Sequence, residues 1–289
     1  MPAPSLRGVI EALERRYPPS TAEDWDAVGL VCGDPAAEVS SVLWAVDPVA
    51  AVADQALDLR VDLLVTHHPL FLTPVHSVSA TDAKGSLVHR LIRGGVALYV
   101  AHTNADVAAP GVSDALASAL GVRDTRPLAS ATQDLGTGRD MRTGLGRIGL
   151  LPEPTTLAEF AAHVAGVLPA TRHGVRVHGD LARPVRTVAV CGGSGDSLLA
   201  AVGAAGADAY VTADLKHHRT LEHAEEGGCA IIDVAHWASE WPWLAQASDL
   251  LVADLAAEGA TVESQVSYLP TDPWSAHLES TSGDGESRT

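Results

Sequence analysis

The chain repeats itself once, weakly, and that repeat constrains its fold more than any single segment does. VDLLVTHH at 61–68 resembles ADAYVTAD at 207–214, and GGVALYVAHT at 94–103 resembles GGCAIIDVAHW at 227–237. In each copy an apolar run of strand length ends on a polar residue. Further runs of this kind occupy 42–46, 187–190 and 261–267, and amphipathic patterns predict helices at 5–16, 49–59, 84–93, 113–120, 156–167, 196–204, 217–226 and 240–258. Strands alternating with helices need crossover connections, which produce largely parallel sheets covered by helices. The expectation is an α/β protein of two related lobes with mainly parallel sheets facing one metal-binding cleft, because ligands sit at the carboxyl ends of such strands. The first lobe is expected at 1–125. Residues 126–278 hold the rest of an aperiodic stretch, 123–143, read as a linker, and then the second lobe; the small, polar run ESTSGDGESRT at 279–289 reads as a disordered tail.

Composition narrows the functional classes. With 289 residues and 46% hydrophobic content the chain can bury real cores. No apolar run reaches the roughly 18 residues of a membrane span, and the opening MPAPSLRGVIEALERRYPP reads as an amphipathic helix rather than an export signal. Cys32, Cys191 and Cys229 lie far apart, without the spacing of a disulfide framework or a thiolate zinc site. A cytoplasmic location without membrane contact is expected. Nineteen Lys and Arg against 36 Asp and Glu leave a formal charge of −17, which repels polyanions and argues against nucleic acid as a partner. The 13 histidines are the oddity, since His is the commonest metal ligand.

Three polar segments follow buried strands. Thr66-His67-His68-Pro69 sends two adjacent imidazoles out of a strand end, and their divergence suits two neighbouring ions better than one. Ala101-His102-Thr103-Asn104-Ala105-Asp106 adds an imidazole and a carboxylate. In Ala235-His236-Trp237-Ala238-Ser239-Glu240, His and Glu four apart share a face if the segment is helical, although Ser239 could instead cap a helix beginning at Glu240. Each segment alone is commonplace; their combination at strand ends is not. His67, His68 and His236 with Asp106 and Glu240 satisfy the arithmetic of two divalent ions, since carboxylates can bridge and positions remain open for water. Imidazole with carboxylate suits zinc, iron, manganese or nickel. His102, four residues before Asp106, is a candidate catalytic proton shuttle. Lys216, His217 and His218, with Arg219, form the densest basic run and are candidates for holding a small anionic substrate such as a nucleotide. Cys191 to Asp196 matches no phosphate-loop pattern and reads as a tight packing turn, while Trp237, Trp241 and Trp243 read as core.

The segments WDAVGLVCGD, THHPLF, AHTNAD, VAVCGGSG, YVTADLKHH and AHWASE, in this order, resemble the Nif-three-like family of dinuclear-metal proteins, many of whose members carry the label GTP cyclohydrolase type-two homologue. The similarity runs from about residue 5 to 270. It implies two α/β lobes, a toroidal homohexamer with its metal sites facing an inner cavity, and metal ligands at His67, His68, Asp106, His236 and Glu240. Some members carry a further domain between the lobes; the short interval between Asp106 and Thr187 suggests a form without it. Ala27, Ala213 and Ala235 stand where the family has Asn, Gly and Gly, and none of these changes removes a ligand. The implied function is a metal-dependent hydrolase opening the guanine imidazole ring of GTP with release of formate. Hydrolysis of another phosphoester or amide, and a non-enzymatic ring-shaped metal-binding scaffold, are the alternatives.

Overall fold

Hydrogen-bonded pairing sorts the strands of this computed structural model, which describes residues 2–130 and 142–278, into two sheets. The first has the order β1 (Gly29–Cys32), β4 (Ala97–Val100), β3 (Leu63–Thr66), β2 (Ser41–Ala45), β11 (Glu263–Val266). The second runs β5 (Arg123–Ser130), β6 (Gly144–Thr156), β8 (Pro184–Ser194), β9 (Ala209–Ala213), β10 (Ala230–Val234), β7 (Arg176–His178). The α/β class with parallel cores is observed: β2, β3, β4 and β11 pair in parallel, as do β8, β9 and β10, while β1, β5, β6 and β7 add antiparallel flanks.

The repeat extends to hydrogen bonds. Leu63 lies opposite Val42 and Ala97, and Ala209 opposite Val188 and Ala230. One residue earlier, Asp62 accepts from the N–H groups of Ser40 and Ser41, and Asp208 from those of Arg186 and Thr187. Each carboxylate pins the start of the neighbouring strand, so both copies enter the sheet in one register.

Period-two alternation gives each sheet an inner and an outer face. Outside the first sheet, Leu43, Leu64 and Leu98 pack with α2 (Ala50–Leu59) and α3 (Ala83–Gly94); outside the second, Ala189 and Tyr210 pack with α7 (Leu199–Ala205). The inner faces share one core. Trp44, Val65 and Tyr99 of the first sheet and Val188, Val211 and Ile232 of the second belong to a single buried cluster with α1 (Leu6–Arg16), α5 (Val112–Ala119), α6 (Leu157–Val167) and α9 (His236–Ala257). Helix α9 packs on β2 and β11 on one side and on β8 and β9 on the other. Trp243 of α9 is fully buried edge-on to Trp44, with ring centroids 5.8 Å apart.

Several expectations are revised. Residues 123–130, read as linker, are strand β5, whose partner β6 contains five glycines and prolines and gave no strand signal. The strand expected at 261–267 forms, but hydrogen-bonds to β2 of the first sheet rather than joining the second lobe. Helix α9 starts at His236, not Glu240, so Ser239 lies inside it. Residues 191–194 continue β8 instead of forming a loop. The tail at 279–289 lies outside the described residues. Among the described residues, no helix is long and apolar enough to cross a membrane.

Candidate metal centre

The carboxyl ends of β3, β4 and β10 meet at one point between the sheets. Strand β3 delivers His67 and His68. The chain leaving β4 turns at His102, whose N–H is taken by Asn104 Oδ1 at 2.9 Å, while Asn104 Nδ2 donates to the Tyr17 carbonyl at 2.7 Å. That latch sets the short helix α4 (Thr103–Val107), which carries Asp106. Across the cleft, His236 opens α9 and Glu240 follows one turn later on the same face. The Ser239 hydroxyl donates to the His236 carbonyl at 2.7 Å and accepts the Gly193 N–H at 2.8 Å, fixing this turn against β8.

The donor atoms converge. His67 Nε2 lies 3.4 Å from Glu240 Oε1 and 3.8 Å from Asp106 Oδ1. His68 Nε2 is 3.2 Å from Glu240 Oε2 and 3.2 Å from His236 Nε2, which lies 2.9 Å from Glu240 Oε1. Two sets of potential ligand atoms lie within 4.8 Å of one another, His67 with His68 and His102, and His68 with His236 and Glu240. All five proposed ligands are therefore brought together, and His102 joins them.

Three aspartates orient the rings. His68 Nδ1 bonds Asp47 Oδ1 at 2.6 Å, His236 Nδ1 bonds Asp214 Oδ2 at 2.7 Å, and His102 Nδ1 bonds Asp26 Oδ1 at 2.8 Å; His67 Nδ1 uses the Ala101 carbonyl at 2.9 Å. A partner on Nδ1 fixes ring and tautomer and leaves Nε2 for the centre, the arrangement typical of metal-binding imidazoles. None of these aspartates was singled out from the sequence in this role. A signal existed for Asp214, which occupies the place of His68 in the repeat, and for Asp47, which follows a buried strand as the ligands do.

Charge and burial here suit cations. His67 is fully buried and its Nε2 has no hydrogen-bond partner; neither has Oε2 of Glu240, which is 3% exposed. Burial disfavours the imidazolium of His68, but the Glu240 charge and the Asp47 hydrogen bond outweigh it and raise its pKa to about 10. The Glu240 charge acts against a smaller cost of burial at His236, raising it to about 11. Burial raises the Asp106 carboxyl, whereas Glu240, despite burial, is held well below the carboxylate range by the three imidazoles. The Glu240 charge makes the site favourable to positive charge. Gly193 leaves room for this: an added Cβ would stand 2.5 Å from Glu240 Oε1 and 3.2 Å from His236 Nε2. Orphaned buried acceptors, oriented imidazoles and a side-chain-free wall fit divalent ions.

The basic run lies elsewhere. Lys216 is exposed and pairs with Asp196 at 3.1 Å, not with the cluster. His217 and His218 are exposed at the start of α8 (His217–Glu225), and His217 lines a separate groove.

Compared with known proteins, residues 4–273 match the profile of Duf34/NIF3 (NGG1p interacting factor 3). The chain belongs to the Duf34/NIF3 family. Within it, the chain is 50% identical over 277 residues to a Streptomyces coelicolor protein named GTP cyclohydrolase 1 type 2 homolog, covering 96% of each. A Mycobacterium tuberculosis protein of the same name is 37% identical over 374 residues, covering 95% of this chain and 97% of that one. That alignment is longer than the chain itself, so the mycobacterial protein carries residues this family member lacks. A Bacillus cereus protein related to NIF3 has a similar solved structure, with a TM-score of 0.86 at 27% identity, covering 95% of this chain and 99% of that one.

Proposed function

We propose that this NIF3-family chain is a metal-dependent hydrolase whose two divalent ions are held by His67, His68, Asp106, His236 and Glu240. The observation that carries the reading is the convergence of His67 Nε2, His68 Nε2, His236 Nε2 and Glu240 on one buried point, with His67 Nε2 and Glu240 Oε2 making no hydrogen bond and the outer nitrogens of the imidazoles already engaged. When bound, such ions supply Lewis acidity and lower the pKa of water.

The chain's own residues do the rest. Asp47 and Asp214 hold His68 and His236 with Nε2 facing inward. His102, with its Nδ1 on Asp26, is left to accept and return a proton at Nε2. The Asp26 side chain is buried, which opposes its charge, but hydrogen bonds from His102 and from the N–H and hydroxyl of Thr103 hold it ionised, so it acts as an orienting group. Trp25 lies edge-on to the His102 ring at 6.0 Å. The reading extends to a cytoplasmic homohexamer acting on a small nucleotide, with hydrolytic opening of the guanine ring of GTP as its specific form. The name shared by the relatives supports that substrate.

Elemental analysis of gently purified protein should find about two divalent ions per chain. His102→Ala should keep them while losing a factor of about 10² or more in kcat on GTP, restored by no added metal. One ion or fewer after full loading overturns the dinuclear centre; unchanged turnover by the variant overturns the role of His102.

A further inference from the structure

Asp47 holds the His68 ring, and a residue distant in sequence holds Asp47. Its Oδ1 is taken by His68 Nδ1 at 2.6 Å, and its Oδ2 accepts the hydroxyl of Thr271, 224 positions further along the chain. A carboxylate held at one oxygen can still turn about its Cβ–Cγ bond, because that torsion is broad. Held at both, it keeps one plane, and the imidazole bonded to it keeps one orientation. Asp26 shows the same device built locally: Oδ1 faces His102 Nδ1, while Oδ2 accepts the N–H and hydroxyl of Thr103, the residue next to that ring. At Asp47 the threonine comes instead from beyond β11.

The segment that brings it is tied down on the way. The Ser267 N–H donates to the Trp44 carbonyl at 2.7 Å and its hydroxyl to Gln55 Oε1 of α2 at 2.6 Å, while its carbonyl accepts from Trp241 Nε1 at 3.0 Å. Trp241 follows Glu240 directly, and its indole packs on the Tyr268 ring with centroids 5.2 Å apart. Pro270 and Pro273 then flank Thr271 and Asp272; each fixes its own φ and restricts the residue before it. A strap fastened to β2, α2 and α9 and stiffened in this way delivers one hydroxyl to one carboxylate with little freedom left to lose.

We propose that Thr271 is a positioning residue for the metal centre: through Asp47 it sets the His68 ring, so that affinity for the ions depends on a segment that contributes no ligand. The inference rests on the reading of His68 as a metal ligand. Chelator competition on the full-length protein, with zinc as the probe ion, tests it. Thr271→Val keeps the shape of the side chain and removes the hydroxyl. It should fold as the unaltered chain does, by circular dichroism, and bind zinc about tenfold more weakly, the lower end of what loss of a partner outside the ligand shell costs. Thr271→Ser, which keeps the hydroxyl, should retain the affinity. In an Asp47→Ala background no carboxylate remains to be held, so Thr271→Val should there change affinity by less than about twofold, as expected of two residues acting through one contact. Unaltered zinc affinity of folded Thr271→Val, an equal loss in Thr271→Ser, or an undiminished loss in the Asp47→Ala background would overturn the proposal. Failure of the unaltered chain to take up zinc would overturn the centre itself, and this inference with it.

Discussion

Gly193 is the residue on which the centre leans most without contributing a ligand. Its φ of +66° costs a residue with Cβ about 1–2 kcal/mol, and the new methyl would meet Glu240 Oε1. Gly193→Ala should therefore fold with slightly lower stability and lose metal affinity by about 10- to 100-fold, as changes that displace a ligand do; competition with a chelator of known affinity measures it. The imidazoles give a second test. His68 and His236, at about 10 and about 11 in the ion-free chain, lie above the unfolded value of about 6.5. Their contribution to stability is complete below that unfolded value and is lost as pH rises through the folded values. Thermal melts of the ion-free protein should fall between about pH 6.5 and 11, while those of the loaded protein, whose rings are neutral, should not. Loading at about pH 7.5 should release roughly two protons per chain, read from calorimetry in buffers of different ionisation enthalpy. No release would mean that the rings are neutral before ions arrive.

Among elements, β6 carries an unexpected burden. Arg147 is 1% exposed, and its guanidinium bonds both carboxylate oxygens of Asp114 and the carbonyls of Ala108, Gly144 and Gly146. All five N–H groups are used. The second sheet thereby grips the turn between α4 and α5, two residues beyond Asp106. Arg147→Met strips Asp114 of its partner and should cost about 3–5 kcal/mol in chemical denaturation; a loss below about 1 kcal/mol would contradict the staple. An arginine among glycines and prolines looks like linker because its burial depends on partners distant in sequence, which explains why β5 and β6 were not legible. The parallel strands other than β11 were legible, since each is a short apolar run whose burial is its own, and the clustering of the His, Asp and Glu side chains was legible because they follow those runs. Asp26 was not, because it follows no such run, and an orienting carboxylate is recognised only from the ring it holds.

For the whole molecule, the two related lobes form one body. Strand β11 returns to the first sheet, its Ser264 hydroxyl accepts from Trp44 Nε1 at 2.9 Å, and α9 carries Trp243 into the core against Trp44. Neither half can bury its inner face alone. Removing residues from 260 onward should leave β2 as an open edge and reduce stability by several kcal/mol, on the order of losing a buried strand and its packing; urea denaturation and limited proteolysis of the first sheet measure it. Intact protection of that sheet would show that β11 is dispensable. The crossing also has a consequence in time. At roughly 5–20 residues per second, synthesis separates β4 from β11 by on the order of ten seconds, during which the nascent chain presents the bare edge of β2, with the Trp44 indole short of its acceptor. An unpaired edge of that kind is a template for the wrong neighbour, so the growing chain is most exposed to aggregation, and most in need of a chaperone, between the emergence of β2 and that of the strand that covers its edge.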